Sequence, residues 1–170
     1  MEDDVLFSET QRFTQWWLRA LLAGINGMLM YGMVKQFIFR EPFGDKTASD
    51  AELAIISGLM FLLTYFFLRL RLETRIKKDG IYYKFKPFHG TYRFNAWDNL
   101  RQCYVRKYSP ILEYGGWGLR LGMYGKGTAF NVSGNMGLQL KLSNNKKILL
   151  GTQRADEITE LLNRIRQWKE

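Results

Sequence analysis

His89 and Cys103 are the single histidine and single cysteine of the chain. A catalytic imidazole needs a nucleophile or a carboxylate beside it, and a zinc-type centre needs several His or Cys ligands. His89 falls in a turn between two expected strands and is read as a turn residue. Cys103 falls in an expected strand beside Tyr104 and is read as a packed or edge residue. One cysteine permits no intrachain disulfide. Asp98 and Glu113 are the only acids between Gly80 and Arg154, so a paired-carboxylate mechanism has little to build on. The glycine runs carry no nucleotide signature. Gly116-x-Gly118 has Leu121 where the dinucleotide fingerprint requires a third glycine, and Gly125-Lys126-Gly127-Thr128 lacks both the upstream glycine and the adjacent Lys-Ser/Thr of a phosphate-binding loop. Asn131, Ser133 and Asn135 are read as shaping a turn or bulge. These residue types predict no catalytic centre, no metal and no cofactor.

The segment from Arg106 to Lys126 has the composition of a binding surface. Arg106, Lys107, Arg120 and Lys126 are candidates for an anionic surface, interleaved with Tyr108, Tyr114, Trp117 and Tyr124 as candidate interface aromatics. Cations of this kind pair phosphates while aromatic rings enter an interface or stack.

The elements that must position these residues begin with two apolar stretches, Trp16 to Phe39 and Ala51 to Leu68. At about 1.5 Å per helical residue the first reaches across a hydrocarbon core of about 30 Å and the second nearly so. The expected organisation is an acidic tail over 1–12, a transmembrane hairpin over 13–68 with spans at 14–39 and 51–68 and a loop at 40–50, and a domain over 69–170. Trp16 and Trp17 suit an interfacial belt, and Arg19 is close enough to the end of its span to snorkel. Asn26 falls near the middle of the first span, where an unpaired amide is costly. An antiparallel hairpin brings it to the depth of Ser57 or Thr64, and Ala20, Gly24 and Gly27 are expected to pack closely against Ala54 and Gly58.

The formal charge of +9 is unevenly spread: residues 1–68 carry a net −3 and residues 69–170 a net +12. Arg69, Arg71, Arg75, Lys77 and Lys78 cluster just past the second span, against Arg40 and Lys46 in the loop. Counting Lys and Arg near the spans puts both termini and the domain in the cytoplasm, and the clustered cations against lipid headgroups.

From Leu70 the apolar period becomes alternating, the signature of half-buried strands. Leu72, Thr74 and Ile76, then Asp79-Gly80, then Ile81, Tyr83 and Phe85 read as a hairpin, expected to continue through Thr91–Phe94 and Gln102–Tyr108 as one meander. Leu138, Leu140 and Leu142, Asn144-Asn145 and Lys147–Leu150 read as a second hairpin. Ile158, Leu161, Leu162, Ile165 and Trp168 have helical spacing. The class is α+β: a two-helix hairpin, about seven short antiparallel strands and a C-terminal amphipathic helix.

Leu72-Glu73-Thr74-Arg75-Ile76, Asp79-Gly80-Ile81, Tyr104-Val105-Arg106-Lys107-Tyr108, Glu113-Tyr114-Gly115-Gly116-Trp117-Gly118, Asn131-Val132-Ser133-Gly134-Asn135 and Ile148 to Arg154 together resemble a family of bacterial membrane proteins of Bacteroidetes type. These have two transmembrane helices and a C-terminal pleckstrin-homology-like (PH-like) domain. The resemblance implies a PH-like sheet or partial barrel and placement in the bacterial inner membrane, and it carries no catalytic assignment. The function expected is a non-enzymatic, membrane-anchored interaction module whose partner is the lipid bilayer together with a protein or a second copy of the chain. The alternative is a membrane-tethered nucleic-acid-binding module, which requires Tyr108, Trp117 and Tyr124 to be exposed on a basic face. A small membrane-surface enzyme would need a deep pocket around Asp98 or Glu113.

Overall fold

Residues 5–12 alternate Phe7, Glu9 and Gln11 inward with Ser8, Thr10 and Arg12 outward, and they form a strand, β1 (Val5–Arg12). In this computed structural model residues 5–13, 15–44, 48–122 and 125–169 are described, with side chains described up to Ile165. The segment expected to be an acidic tail is therefore an integral strand from Val5 on. It pairs antiparallel with β2 (Arg71–Lys77), with Arg12 opposite Arg71 and Glu9 opposite Thr74.

The chain divides into two units: a helical one that runs to Arg69, and a β-rich one made of the residues up to Phe13 and those from Leu70 on. The helical unit is thus inserted between two paired strands.

Its helices are α1 (Trp16–Met33), which ends in a π-helical turn over Val34–Ile38, and α2 (Asp50–Arg69). Both are long and apolar enough to cross a membrane. Among the described residues of the unit only Leu22, Gly32, Leu53 and Ser57 are buried, while Leu21, Met28, Ile55, Leu59 and Leu62 are exposed. Helices that expose apolar side chains on most sides suit lipid as solvent. At the start of α2, Ser49 and Glu52 form a reciprocal capping box: the Ser49 N–H and hydroxyl donate to Glu52 Oε2 at 2.8 and 2.9 Å, and the Glu52 N–H donates to Ser49 Oγ. This satisfies helix-end donors and gives Glu52 a local role.

The β unit holds two sheets. The first has the order β1-β2-β3-β4, with β3 at Gly80–Lys86 and β4 at Arg93–Ala96, and the second the order β5-β8-β9-β7-β6. A 3-10 turn over Trp97–Asn99, with the Trp97 indole donating to the Lys77 carbonyl, redirects the chain into β5 (Leu100–Lys107). The expected four-segment meander is therefore split, and its last segment belongs to the second sheet. After α3 (Pro110–Tyr114) come β6 (Gly118–Gly122), β7 (Gly127–Asn131), β8 (Met136–Leu142) and β9 (Lys147–Gly151). The sheets are not wholly antiparallel: β9 pairs antiparallel with β8 but parallel with β7. Nine strands are described where about seven were expected, β1 among the additions.

Phe130 bridges the two sheets, with its ring 5.1 Å from Tyr83 and 5.8 Å from Phe85. Leu72, Ile76, Ile81, Leu138, Leu140 and Leu150 complete the buried layer. The last helix, α4 (Ala155–Lys169), packs on β5, β8 and β1 and buries Ile158, Leu162 and Ile165.

Candidate functional site

Ser109 and Pro110 start α3: the Ser109 hydroxyl accepts from the Leu112 N–H, and proline occupies the first helical turn, where its missing N–H costs nothing. Gly115, at φ 69°, ends the helix in the left-handed region that favours glycine. This short helix aims Glu113 back at β5. Arg106 forks onto it, its two terminal nitrogens donating to Glu113 Oε2 and Oε1 at 2.9 and 3.2 Å. Arg106 Nε also donates to Gln139 Oε1 at 3.0 Å, and a terminal nitrogen donates to the Tyr114 hydroxyl at 3.2 Å. The Arg106 hydrogen bonds hold the Glu113 carboxyl below its usual range against partial burial, helped by the Ser109 N–H. Arg106 is therefore a clamp between β5 and α3, with its donors already occupied, and is corrected from an anionic-surface candidate. Lys126 lies 3.7 Å from the same carboxylate. Lys107 and Arg120 are exposed, and Arg120 Nε donates to the Trp117 carbonyl at 3.0 Å.

Two of the interface aromatics, Tyr108 and Tyr114, are corrected as well. Tyr108 and Tyr114 are 4% and 2% exposed and form a small core with Ala129 and Leu149. Their rings meet edge-on at 5.9 Å. The Trp117 indole, half-buried, donates to the Gly134 carbonyl at 3.2 Å. Tyr124 lies outside the described residues. Of the three aromatics that a nucleic-acid site requires to be exposed, Tyr108 is closed to base stacking and Trp117 is half-buried.

The glycine- and asparagine-rich motifs fasten one another. Asn131, fully buried, donates to the Tyr108 hydroxyl at 3.0 Å and accepts from the Gly118 N–H at 2.8 Å. Gln153 donates to Ser133 Oγ. The segment Gly151-Thr152-Gln153-Arg154 is gripped by β1: Gln11 donates to the Gly151 carbonyl, Glu9 accepts from the Thr152 hydroxyl and the Gln153 N–H, and Arg154 donates to the Ser8 carbonyl.

The cations expected beside the membrane are divided between the units. Arg69 ends α2 with its guanidinium over the Tyr65 ring, while Arg71, Arg75 and Lys77 are residues of β2. Arg71 lies 3.0 Å from Glu73, Arg75 lies over Tyr92 and Lys77 over Tyr82. Lys78 is exposed in the β2–β3 turn. Partial burial raises the Glu73 carboxyl, but the Tyr92 hydroxyl, Lys86 and Arg71 outweigh it and leave the group below its usual range. These side chains form an ion-paired, ring-stacked strand face. Strand periodicity starts too close to Arg69 for a free juxtamembrane run.

In the hairpin, Asn26 Nδ2 donates to Thr64 Oγ1 at 2.9 Å and to the Leu22 carbonyl at 2.6 Å. The amide joins the helices as its cost in an apolar span requires. The small residues do not: Ala20, Gly24, Gly27, Ala54 and Gly58 are exposed, and a Cβ added at any of the three glycines would meet nothing within 4 Å. The close approach occurs instead at Gly32, under the Phe43 ring.

His89 caps its own turn, Nδ1 accepting from the Phe85 N–H at 3.2 Å, and desolvation followed by the charge of Arg93 lowers its pKa. Cys103 is half-buried, lining a recess of about 220 Å³ with Trp97, Leu162 and Ile165. Among the described residues no three His, Cys, Asp or Glu side chains gather to hold a metal ion.

Sequence reading missed an apolar ledge. Ile111 and Leu112 on α3 are 61% and 80% exposed, and Leu119 and Leu121 on the neighbouring β6 are 37% and 81% exposed. Alternation with Arg120 would have flagged the two β6 leucines as sharing one strand face.

Fold and site define an α+β protein in which a hairpin of two membrane-length helices is inserted between paired strands of a two-sheet unit. The chain matches no protein-family model, no curated protein and no solved structure.

Proposed function

We propose that this protein is a membrane-anchored, non-enzymatic interaction module, whose β unit makes contact with a protein partner or a second copy of the chain through the α3–β6 ledge. The observation that carries this reading is the insertion of the apolar hairpin between β1 and β2, with Arg12 opposite Arg71. Two crossings return the chain to the side it left, and strand pairing requires that return, so one membrane face holds both flanks of the anchor. The excess of Lys and Arg at Arg69–Lys78 over the loop supports a cytoplasmic face, and a bacterial inner membrane is what the family resemblance implies. Two facing sheets followed by a helix support a PH-like outline, from which the parallel β7–β9 pair departs. Exposed leucines on a short helix and an edge strand suit docking.

A photoreactive residue placed at Leu112 or Leu121 of the full chain, in membranes of the producing cell, tests this. Discrete protein adducts at both, and none at Glu160 on α4, are the expected result. Adducts with lipid alone would replace protein contact by membrane insertion of the ledge, and no adduct at either position would overturn it.

A further inference from the structure

Strands β5, β8 and β9 lie side by side, and in one row Gln102 stands opposite Lys141, which stands opposite Lys147. Directly opposed side chains share a sheet face, so two lysines start from neighbouring positions on one face, and like charges placed directly opposite each other disfavour a sheet. The row lies in an open groove of about 610 Å³ lined by Arg101, Gln102, Lys141, Leu142, Asn145 and Lys147. None of these six is acidic.

Arg101 reaches the groove through an irregularity. Leu100 pairs with Leu142 and Gln102 with Lys141, so Arg101 is the extra residue of a bulge in β5. In a regular strand Arg101 and Gln102 would point to opposite faces; the bulge lets both line the same groove. The β8–β9 turn then holds the guanidinium, which donates to Asn145 Oδ1 at 3.0 Å. Asn145 itself sits at φ 63°, a conformation that asparagine tolerates better than most residues. This bond uses one of five guanidinium donors. Lys147 Nζ donates to the Gly125 carbonyl at 3.2 Å, and Lys141 Nζ lies 5.6 Å from the centre of the Tyr104 ring. Both ammonium groups therefore have partners that leave their charge uncompensated.

We propose that this groove binds a phosphate-bearing anion. The planar guanidinium offers paired donors to two phosphate oxygens, and the two ammonium groups supply point charges to the rest of the ligand. A bound phosphate also offsets the like charges that Lys141 and Lys147 bring to one sheet face. The same chemistry is presented by a phosphomonoester lipid headgroup at the membrane and by a soluble phosphate compound.

Amine-reactive footprinting of the full chain in nanodiscs, read lysine by lysine by mass spectrometry, separates these sources. One arm adds inorganic pyrophosphate to phosphatidylcholine discs; the other replaces part of the phosphatidylcholine with phosphatidic acid. At saturation the labelling of Lys141 and Lys147 falls about tenfold in one arm or the other, Lys84 is unchanged, and Arg101→Gln abolishes the protection. Protection in the first arm identifies soluble phosphate, and protection in the second the lipid. Unchanged labelling in both arms overturns the proposal, as does protection shared equally by Lys84 or retained in Arg101→Gln. Ledge and groove fail independently, since adducts at Leu112 and Leu121 are read without reference to these lysines.

Discussion

Glu9 and Thr152, 143 residues apart in the chain, meet at 2.7 Å, the threonine hydroxyl donating to a carboxylate that also accepts the Gln153 N–H. Both residues are buried. This joins the first described strand to the segment between β9 and α4.

Thr152→Val removes that hydroxyl and leaves the buried carboxylate one donor short. Hydrogen bonds to charged groups contribute about 1.5–3 kcal/mol, and the variant should lose that order of stability. Pulse proteolysis of the full chain in nanodiscs across a urea series measures it. A midpoint equal to the parent's would show that the Glu9 contact does not hold the β unit together.

Glu113 gives the β unit a pH dependence of known sign. Its carboxyl is depressed in the folded state by Arg106, so its stabilisation is complete above the usual value of 4.5 and is lost as pH falls through the lower folded value. Glu113→Gln should be less stable than the parent at neutral pH, and the difference should shrink on acidification below the usual value of 4.5. Thermal unfolding of both proteins across that window decides the matter; a constant difference would detach the effect from Glu113 ionisation.

The Asn26–Thr64 bond should appear as a coupling. Interhelical hydrogen bonds in membranes average about 0.6 kcal/mol and reach about 1.7. A double-mutant cycle with Asn26→Ala and Thr64→Ala, read as unfolding of the full chain in bicelles, should give a value in that range. Strict additivity would mean that the two side chains do not meet in the bilayer.

Glycines of the hairpin should divide sharply. Gly24→Leu and Gly58→Leu place a side chain in open space and should leave the hairpin folded, whereas Gly32→Leu meets the Phe43 ring. Yield and protease resistance of the three variants in membranes test this. Disruption by the first two would restore the small-residue interface that spacing alone suggested.

Local regularity was legible in the chain. Alternation around Asp79-Gly80 and around Asn144-Asn145 marked the β2–β3 and β8–β9 hairpins, because strand period and turn chemistry depend on a few neighbouring residues. Two membrane-length apolar stretches, and an Asn26 amide that needed a partner, were likewise evident from the cost of polar groups in hydrocarbon. The Ser49–Glu52 capping box had its sequence signature too. Strand β1 was hidden because Glu9 and Gln11 occupy inward positions, which an apolar alternation counts as outward.

By itself, then, the sequence determined the α+β class, the two apolar helices and the local hairpins, since each follows from short-range period and solvation. The tertiary structure alone decided which cations remain available to a ligand. Arg106 is consumed by Glu113, Gln139 and Tyr114, whereas a bulge and a turn direct Arg101 toward Lys141 and Lys147. A side chain's charge is written in its residue type, but whether that charge is neutralised depends on strand register and on partners brought together from distant parts of the chain.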